Sequence, residues 1–352
     1  MIKLFCGPES AEKTDLILKM ISDSCARAID ASKDKDTTSR NALSETAPRR
    51  GCLIVPEQQA VIWETRLAKS VPPESALVLD VVSFTRLANL VKRRFGGLSF
   101  NSAGRVDRVL LMWKAIASVA PLLRVFGNEK NSARTVKIMQ EALDELRRGG
   151  VGAEDAARLS DVFSAEEATA SLSDRLHDIS LVMAEYESFD DPGAEPEHLL
   201  DTLRRRDFFS GYDVYVDSFY SLTAVEEKIV REIIRQSDNF TMTFTCPAGG
   251  EVPPHLGVAY RFFRSVKEFA ARCGDVEINE ITPDASTPSA YLRDHLWDFS
   301  AEPMRGEKDF VSFVRCADRY DEAQAALCRV RELVCGGAGY SDIAIIAPDV
   351  LT

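Results

Sequence analysis

The stretch LFCGPESAEKT, Leu4 to Thr14, decides the reading of the fold. A short apolar run enters a glycine turn, and a Lys-Thr pair opens a helical pattern. Loops that cradle nucleotide phosphates follow Gly-x-x-x-x-Gly-Lys-Ser/Thr. Gly7, Lys13 and Thr14 stand at that spacing, but Glu12 occupies the second glycine position. In such a loop the backbone N–H groups face the β-phosphate and the following helix adds its positive end. Glu12 puts a side chain and a negative charge at the closest approach. Two unit charges about 4 Å apart repel by roughly 4 kcal/mol at an effective dielectric of 20, unless Glu12 turns outward. Lys13 can equally pair with Glu12 or Glu9. Three readings stay open: a structural relic, weak binding of ATP with Mg²⁺, and hydrolysis.

Outward from this loop, GCLIVPEQ reads as a second buried strand stopped by Pro56, and ETRLAK as part of a helix. ALVLDVVS is a third strand. It leads into SFTRLANLVKRRFGG, a helix with Ser83 as N-cap and Gly96-Gly97 at its end. Residues 30–50 are polar and predict a long surface loop. From about 100 to 207 only helical periodicity appears, which predicts an all-helical insertion. Strand texture returns in YDVYVDSF, which ends on Asp217, and in NFTMTFTCP with its alternating Phe240, Met242 and Phe244. Between them Thr223 and Glu226 form a capping box. VAYRFFRSVKEFAARCG is a helix, FVSFVRCAD a strand, YDEAQAALCRVRELVCGG a helix and DIAIIAPD a strand. The predicted division is an α/β domain from 1–98 plus 208–300, a helical insertion at 99–207, and the truncated beginning of a second α/β domain at 308–352. The chain reads as the N-terminal piece of a longer one.

With 352 residues the chain is long enough for two or three domains. Its formal net charge of −12 argues against a general nucleic-acid binder, so any DNA contact needs a local basic face. No apolar run is long enough to span a bilayer, and no signal peptide opens the chain. The expectation is a cytoplasmic protein without membrane contact. The eight cysteines are scattered and the four histidines far apart, so no metal or iron–sulfur site is expected within the chain.

A working helicase motor ends a strand with Asp for Mg²⁺ and Glu for the attacking water. Here Asp217 is followed by Ser218, which cannot act as that base. Asp217 can equally cap a loop. Between Phe84 and Arg108 lie Arg86, Lys92, Arg93, Arg94, Arg105 and Arg108 against the single acid Asp107, a local balance of +5. Arg86 two residues after Phe84 suits phosphate contact beside base stacking. The alternative is a core Phe84 with the Lys-Arg-Arg run as a solvated helix end. LRRRDFF, residues 203–209, is a weaker basic candidate.

The phosphate loop, LIVPEQ with ETRLAK, VVSFTRLANLV, YDVYVDSFYSLTAVEEKIV and DEAQAALCRVRELVCGGAGYSDIAIIAPD occur in that order. In these stretches the chain resembles the N-terminal part of AddB, the B subunit of bacterial AddAB-type helicase–nucleases; RexB is a close relative and RecC a more distant counterpart. The resemblance implies a P-loop NTPase fold like a superfamily 1 helicase whose motor has decayed, with a helical subdomain interrupting the first RecA-like domain. It implies an AddA-type helicase–nuclease partner in a heterodimer, single-stranded DNA and recognition of a Chi-like signal. A nuclease domain and an iron–sulfur cluster would lie beyond Thr352. Carried onto this sequence, the nucleotide elements are Gly7, Glu12, Lys13, Thr14 and Asp217. The DNA path is Gln58, Phe84 and Arg86, with Lys92, Arg93 and Arg94. The competing functions are an active P-loop NTPase or small-molecule kinase, and a purely structural scaffold for a partner subunit.

Overall fold

The computed structural model describes residues 1–8, 11–33, 50–96, 105–129, 132–165, 169–189, 195–250, 252–282, 288–296, 298, 300–302 and 311–347. Most of the polar stretch expected as a surface loop, 34–49, lies outside them. The chain divides into two units, Met1–Pro283 and Asp284–Thr352.

The first unit is built on six strands: β1 (Ile2–Cys6), β2 (Arg50–Ile54), β3 (Leu79–Val82), β4 (Tyr212–Val216), β5 (Asn239–Phe244) and β6 (Val276–Glu280). They are all parallel, in the order β3-β2-β4-β5-β1-β6. A parallel sheet needs cover on both faces. On one face lie α1 (Ala11–Lys33) and α2 (Glu57–Ser70), whose Ile17, Ile21, Trp63 and Leu67 bury against Leu53, Val55 and Tyr215. The other face is covered first by α3 (Phe84–Phe95), capped by Ser83 as its sequence predicts.

After α3 come α4 (Arg105–Val119), α5 (Ala133–Arg148), α6 (Ala153–Phe163) and α7 (Ala170–Glu187). Met112, Ile116, Met139, Leu143, Met183 and Tyr186 form a separate core at helical spacing. No strand occurs among the described residues from 105 to 205. Asp178, 0% exposed, accepts backbone N–H bonds from Arg124 and Val125 at 2.7 Å and from Phe126 at 3.0 Å, which fixes the turn after α4.

Then α8 (Glu195–Arg205), α9 (Ala224–Gln236) and α10 (Gly257–Cys273) complete the second face. Leu203, Ile229, Ile233 and Phe263 pack with Leu4, Ile54, Val214 and Phe240. The predicted capping box of Thr223 and Glu226 starts α9. Gly150, just past α5 at φ +75°, lies against that same helix end: a Cβ there would come within 2.6 Å of the Ala224 Cβ.

The second unit, described by itself, holds α11 (Pro288–His295) and α12 (Arg319–Cys335). Asp318 caps α12 by accepting from the N–H groups of Tyr320 and Asp321. Residues 311–316 and 343–347, read from sequence as strands, run here without ladder partners among the described residues.

Candidate functional site

Parallel strands bring every carboxyl end to one edge of the sheet, where ligands of open α/β folds gather. β1 runs into Gly7 there. Its φ of +155° and the backbone of Ile281, whose oxygen would lie 2.5 Å from any added Cβ, both require glycine. The Gly7 N–H donates to the Phe244 carbonyl at 3.2 Å, so the turn is sewn to the end of β5. Glu9 lies outside the described residues.

The first turn of α1 carries the rest of the loop motif. Glu12 is exposed, where an acid suits a helix N-terminus. The repulsion expected of an inward carboxylate is therefore not incurred in this geometry. Lys13 is 1% exposed, and its Nζ donates to Thr245 Oγ1 at 3.2 Å. Thr14 is half-buried beside it in sequence.

β5 stands between β1 and β4, so its last residues reach both ways. Thr243 and Thr245, two apart, share a face. Thr245 meets Lys13, and the Thr243 hydroxyl donates to Asp217 Oδ1. Asp217 is 2% exposed, and its Oδ2 accepts from Ser218 Oγ at 2.8 Å. Ser218 holds φ +66°, the one positive value outside glycine among the described residues. That left-handed backbone turns the serine hydroxyl back onto its neighbour. Each carboxylate oxygen of Asp217 thus holds a hydroxyl within the protein.

The residues expected along a DNA strand separate into two groups. Gln58 is exposed in the first turn of α2, and Arg86 stands in the first turn of α3, both past the carboxyl ends of their strands. The Arg86 guanidinium pairs with Glu64 at 2.9 Å and with Glu57 at 3.5 Å, and its side chain stays 43% exposed. Two acids of α2 therefore aim it along the edge.

Phe84 does not offer its ring to a base. It is buried, with its centroid 5.5 Å from that of Phe219. Its ring faces the core, which decides for the packing alternative. Lys92, Arg93 and Arg94 lie at the other end of this 12-residue helix, about 12–15 Å from Phe84 along its axis. Arg94 reaches the Phe208 carbonyl and the hydroxyl of Tyr212, which begins β4, so the run belongs to the opposite edge of the sheet. Lys92 is bound to Glu195 at 2.7 Å, Arg94 stacks 5.1 Å over Phe208, and Arg93 is exposed. Arg108 pairs with Asp144 at 2.6 Å inside the helical bundle, and the Arg105 side chain lies outside the described residues. The +5 stretch is contiguous in sequence and dispersed in space. In the weaker basic candidate, Phe208 and Phe209 are core.

One residue on the carboxyl edge escaped sequence reasoning. Tyr220, 45% exposed, projects from the loop after β4 and donates its hydroxyl to the His255 carbonyl. Its signal is present in DSFY, where it follows closely on Asp217.

Among the described residues no helix is long and apolar enough to cross a membrane, and no group of three or more His, Cys, Asp or Glu side chains could hold a metal ion.

The model of the family described as "ADDB, N-terminal" matches residues 31–278. The chain is similar to the B subunit of the ATP-dependent helicase/deoxyribonuclease of Bacillus velezensis, 23% identical over 363 residues that cover 98% of the chain and 30% of the relative. The same-named protein of Bacillus subtilis is 24% identical over 84% of the chain and 27% of its own length. That of Symbiobacterium thermophilum is 25% identical over 85% and 27%. The chain spans less than a third of the length of these relatives. A match over more than half of the sequence places the chain in the AddB family, in its N-terminal region.

Proposed function

We propose that this chain is the N-terminal region of the B subunit of a cytoplasmic helicase–nuclease that processes broken DNA. In it a P-loop motor has become a guide for single-stranded DNA moved by an AddA-type partner, and reads a Chi-like signal. The first RecA-like domain is 1–98 with 208–300, the insertion is 99–207, and 308–352 begins a second such domain. The relatives' names support a helicase–nuclease subunit with a companion.

The observation that carries the loss of motor function is the pairing between β4 and β5. Thr243 and Ser218 satisfy Asp217, Thr245 engages Lys13, and serine stands where a catalytic carboxylate belongs. Gly7, Lys13, Thr14 and Asp217 would be the residues facing any ATP with Mg²⁺, and binding there competes with these internal partners. An active NTPase is correspondingly disfavoured. An iron–sulfur cluster and a nuclease centre belong to sequence beyond this chain.

The strand would cross the carboxyl edge, where the exposed Gln58 amide suits a base edge, Arg86 a phosphate and Tyr220 a stacked base. Lys92, Arg93 and Arg94 lie off this path. Fluorescence anisotropy with a labelled oligonucleotide, in the presence of the partner subunit, tests it. Arg86→Ala should weaken binding by about 1 kcal/mol or more, as expected for a charge-assisted contact. Unchanged binding by folded Arg86→Ala and Gln58→Ala variants would move the path elsewhere and favour the scaffold reading.

A further inference from the structure

The last backbone bond between β4 and β2 is made by Asp217, whose N–H donates to the Ile54 carbonyl at 3.1 Å. The chain must then leave the sheet and reach Thr223, the N-cap of α9. Ser218 sets its departure. An extended residue there would carry the strand onward, whereas φ +66° turns the chain aside. Outside glycine such a backbone is uncommon, and it persists where its surroundings hold it. Here the Ser218 hydroxyl donates to Asp217 Oδ2 at 2.8 Å, and Thr243 of β5 donates to Oδ1 of the same buried carboxylate.

The two residues after this turn go opposite ways. Phe219 packs against the main core, its ring centroid 5.5 Å from that of Phe84, which opens α3 two residues before Arg86. Tyr220 is 45% exposed, and its hydroxyl donates to the His255 carbonyl. The loop is therefore pinned at the Asp217 carboxylate, at the Phe219 ring and at the Tyr220 hydroxyl, while Tyr220 itself stays open to solvent.

We propose that Asp217 and Ser218 are positioning residues that hold Tyr220 ready to stack on a base of the passing strand. The inference rests on the guide reading above, and it gives the acid of β4 a use that needs neither nucleotide nor metal. A ring whose place is set before the base arrives loses little freedom on binding, whereas a loose loop would have to be ordered at that moment. Stacking on an aromatic face tolerates any base, so this contact grips the strand without reading its sequence.

The test separates the left-handed turn from the ring it presents. Ser218→Val removes the hydroxyl and puts a β-branched side chain at a backbone angle it resists. Ser218→Asn keeps a polar side chain that tolerates that angle. Fluorescence anisotropy with a labelled oligonucleotide, in the presence of the partner subunit, compares both with Tyr220→Ala. Ser218→Val and Tyr220→Ala should each weaken binding about fivefold or more, the loss expected of one stacked base. The double variant should bind no more weakly than either single one, and Ser218→Asn should restore most of the affinity. A merely structural role would make the two losses add. Circular dichroism checks each fold, and Ser218→Ala replaces Ser218→Val if the latter does not fold.

Hydrogen–deuterium exchange reads the turn without DNA. Residues 217–223 should exchange faster in Ser218→Val than in wild type, with β4 as protected as before. Exchange equal to wild type would overturn the proposal, as would full binding by folded Ser218→Val where Tyr220→Ala is weakened. Wild-type binding by both Arg86→Ala and Tyr220→Ala would instead refute the strand path, and the proposal with it.

Discussion

Thr243 and Asp217 face each other across neighbouring strands, the threonine hydroxyl of β5 donating to the carboxylate that ends β4. Two residues on, Thr245 of the same face receives Lys13 from α1. Lys13 and Asp217, the charged residues that the phosphate-loop reading assigns to a nucleotide, are thus both engaged by β5.

The purified chain should accordingly show no Mg²⁺-dependent ATP hydrolysis, with or without single-stranded DNA. A coupled phosphate-release assay reads this directly. Turnover that disappears in Lys13→Ala would refute it.

Glu64 holds the Arg86 guanidinium at 2.9 Å on an exposed edge. On the proposed path a DNA phosphate would compete with that carboxylate. Glu64→Gln should therefore tighten oligonucleotide binding several-fold at low salt, by an amount of the order of an exposed ion pair, up to about 1 kcal/mol. The gain should shrink as salt is raised. A titration of Glu64→Gln beside Arg86→Ala checks it; equal binding by wild type and Glu64→Gln would show that Arg86 does not meet the strand.

In the helical bundle, three backbone N–H groups converge on Asp178. Asp178→Ala leaves them without that acceptor and should cost about 2 kcal/mol or more, since one buried unsatisfied group costs about 1–3 kcal/mol. Asp178→Asn keeps one oxygen and should lose less. Urea unfolding followed by circular dichroism ranks the three proteins; an Asp178→Ala midpoint equal to wild type would show that water replaces the carboxylate.

Gly150→Ala should loosen the seat of the bundle on α9. The new methyl meets the Ala224 Cβ at 2.6 Å, and φ +75° is itself unfavourable for alanine. Adding Ala224→Gly removes the collision and leaves the backbone strain. Partial rescue of the thermal midpoint in the double variant is the expected outcome, and additive loss would place the fault in the backbone alone.

The strands and caps of the first unit were legible because local patterns dictate them. An apolar run before Gly7 makes β1, Ser83 can cap only the helix it precedes, and the Thr223 box closes within four residues. β6 gave little sign: VEINE is polar and half-buried, a strand only because β1 offers it an edge. The charge cluster disperses for a related reason. Lys92 finds Glu195 across 103 positions and Arg94 finds Phe208 across 114, pairings that no local window contains. Phe84 follows its N-cap, and only the tertiary position of Phe219 decides which way that turn faces.

The strand order also sets a timetable for synthesis. Ile2 of β1 pairs with Phe240 on one side and Val276 on the other. β1, made before the other five strands of this sheet, is therefore the last to find its neighbours, roughly 12–50 seconds later at about 5–20 residues per second. Meanwhile the bundle of α4 to α7, rich in local contacts, can close on its own core. A nascent chain halted before residue 240 would display β1 with neither ladder edge satisfied. Chaperone capture during translation should peak over that window and fall once β5 and β6 have emerged.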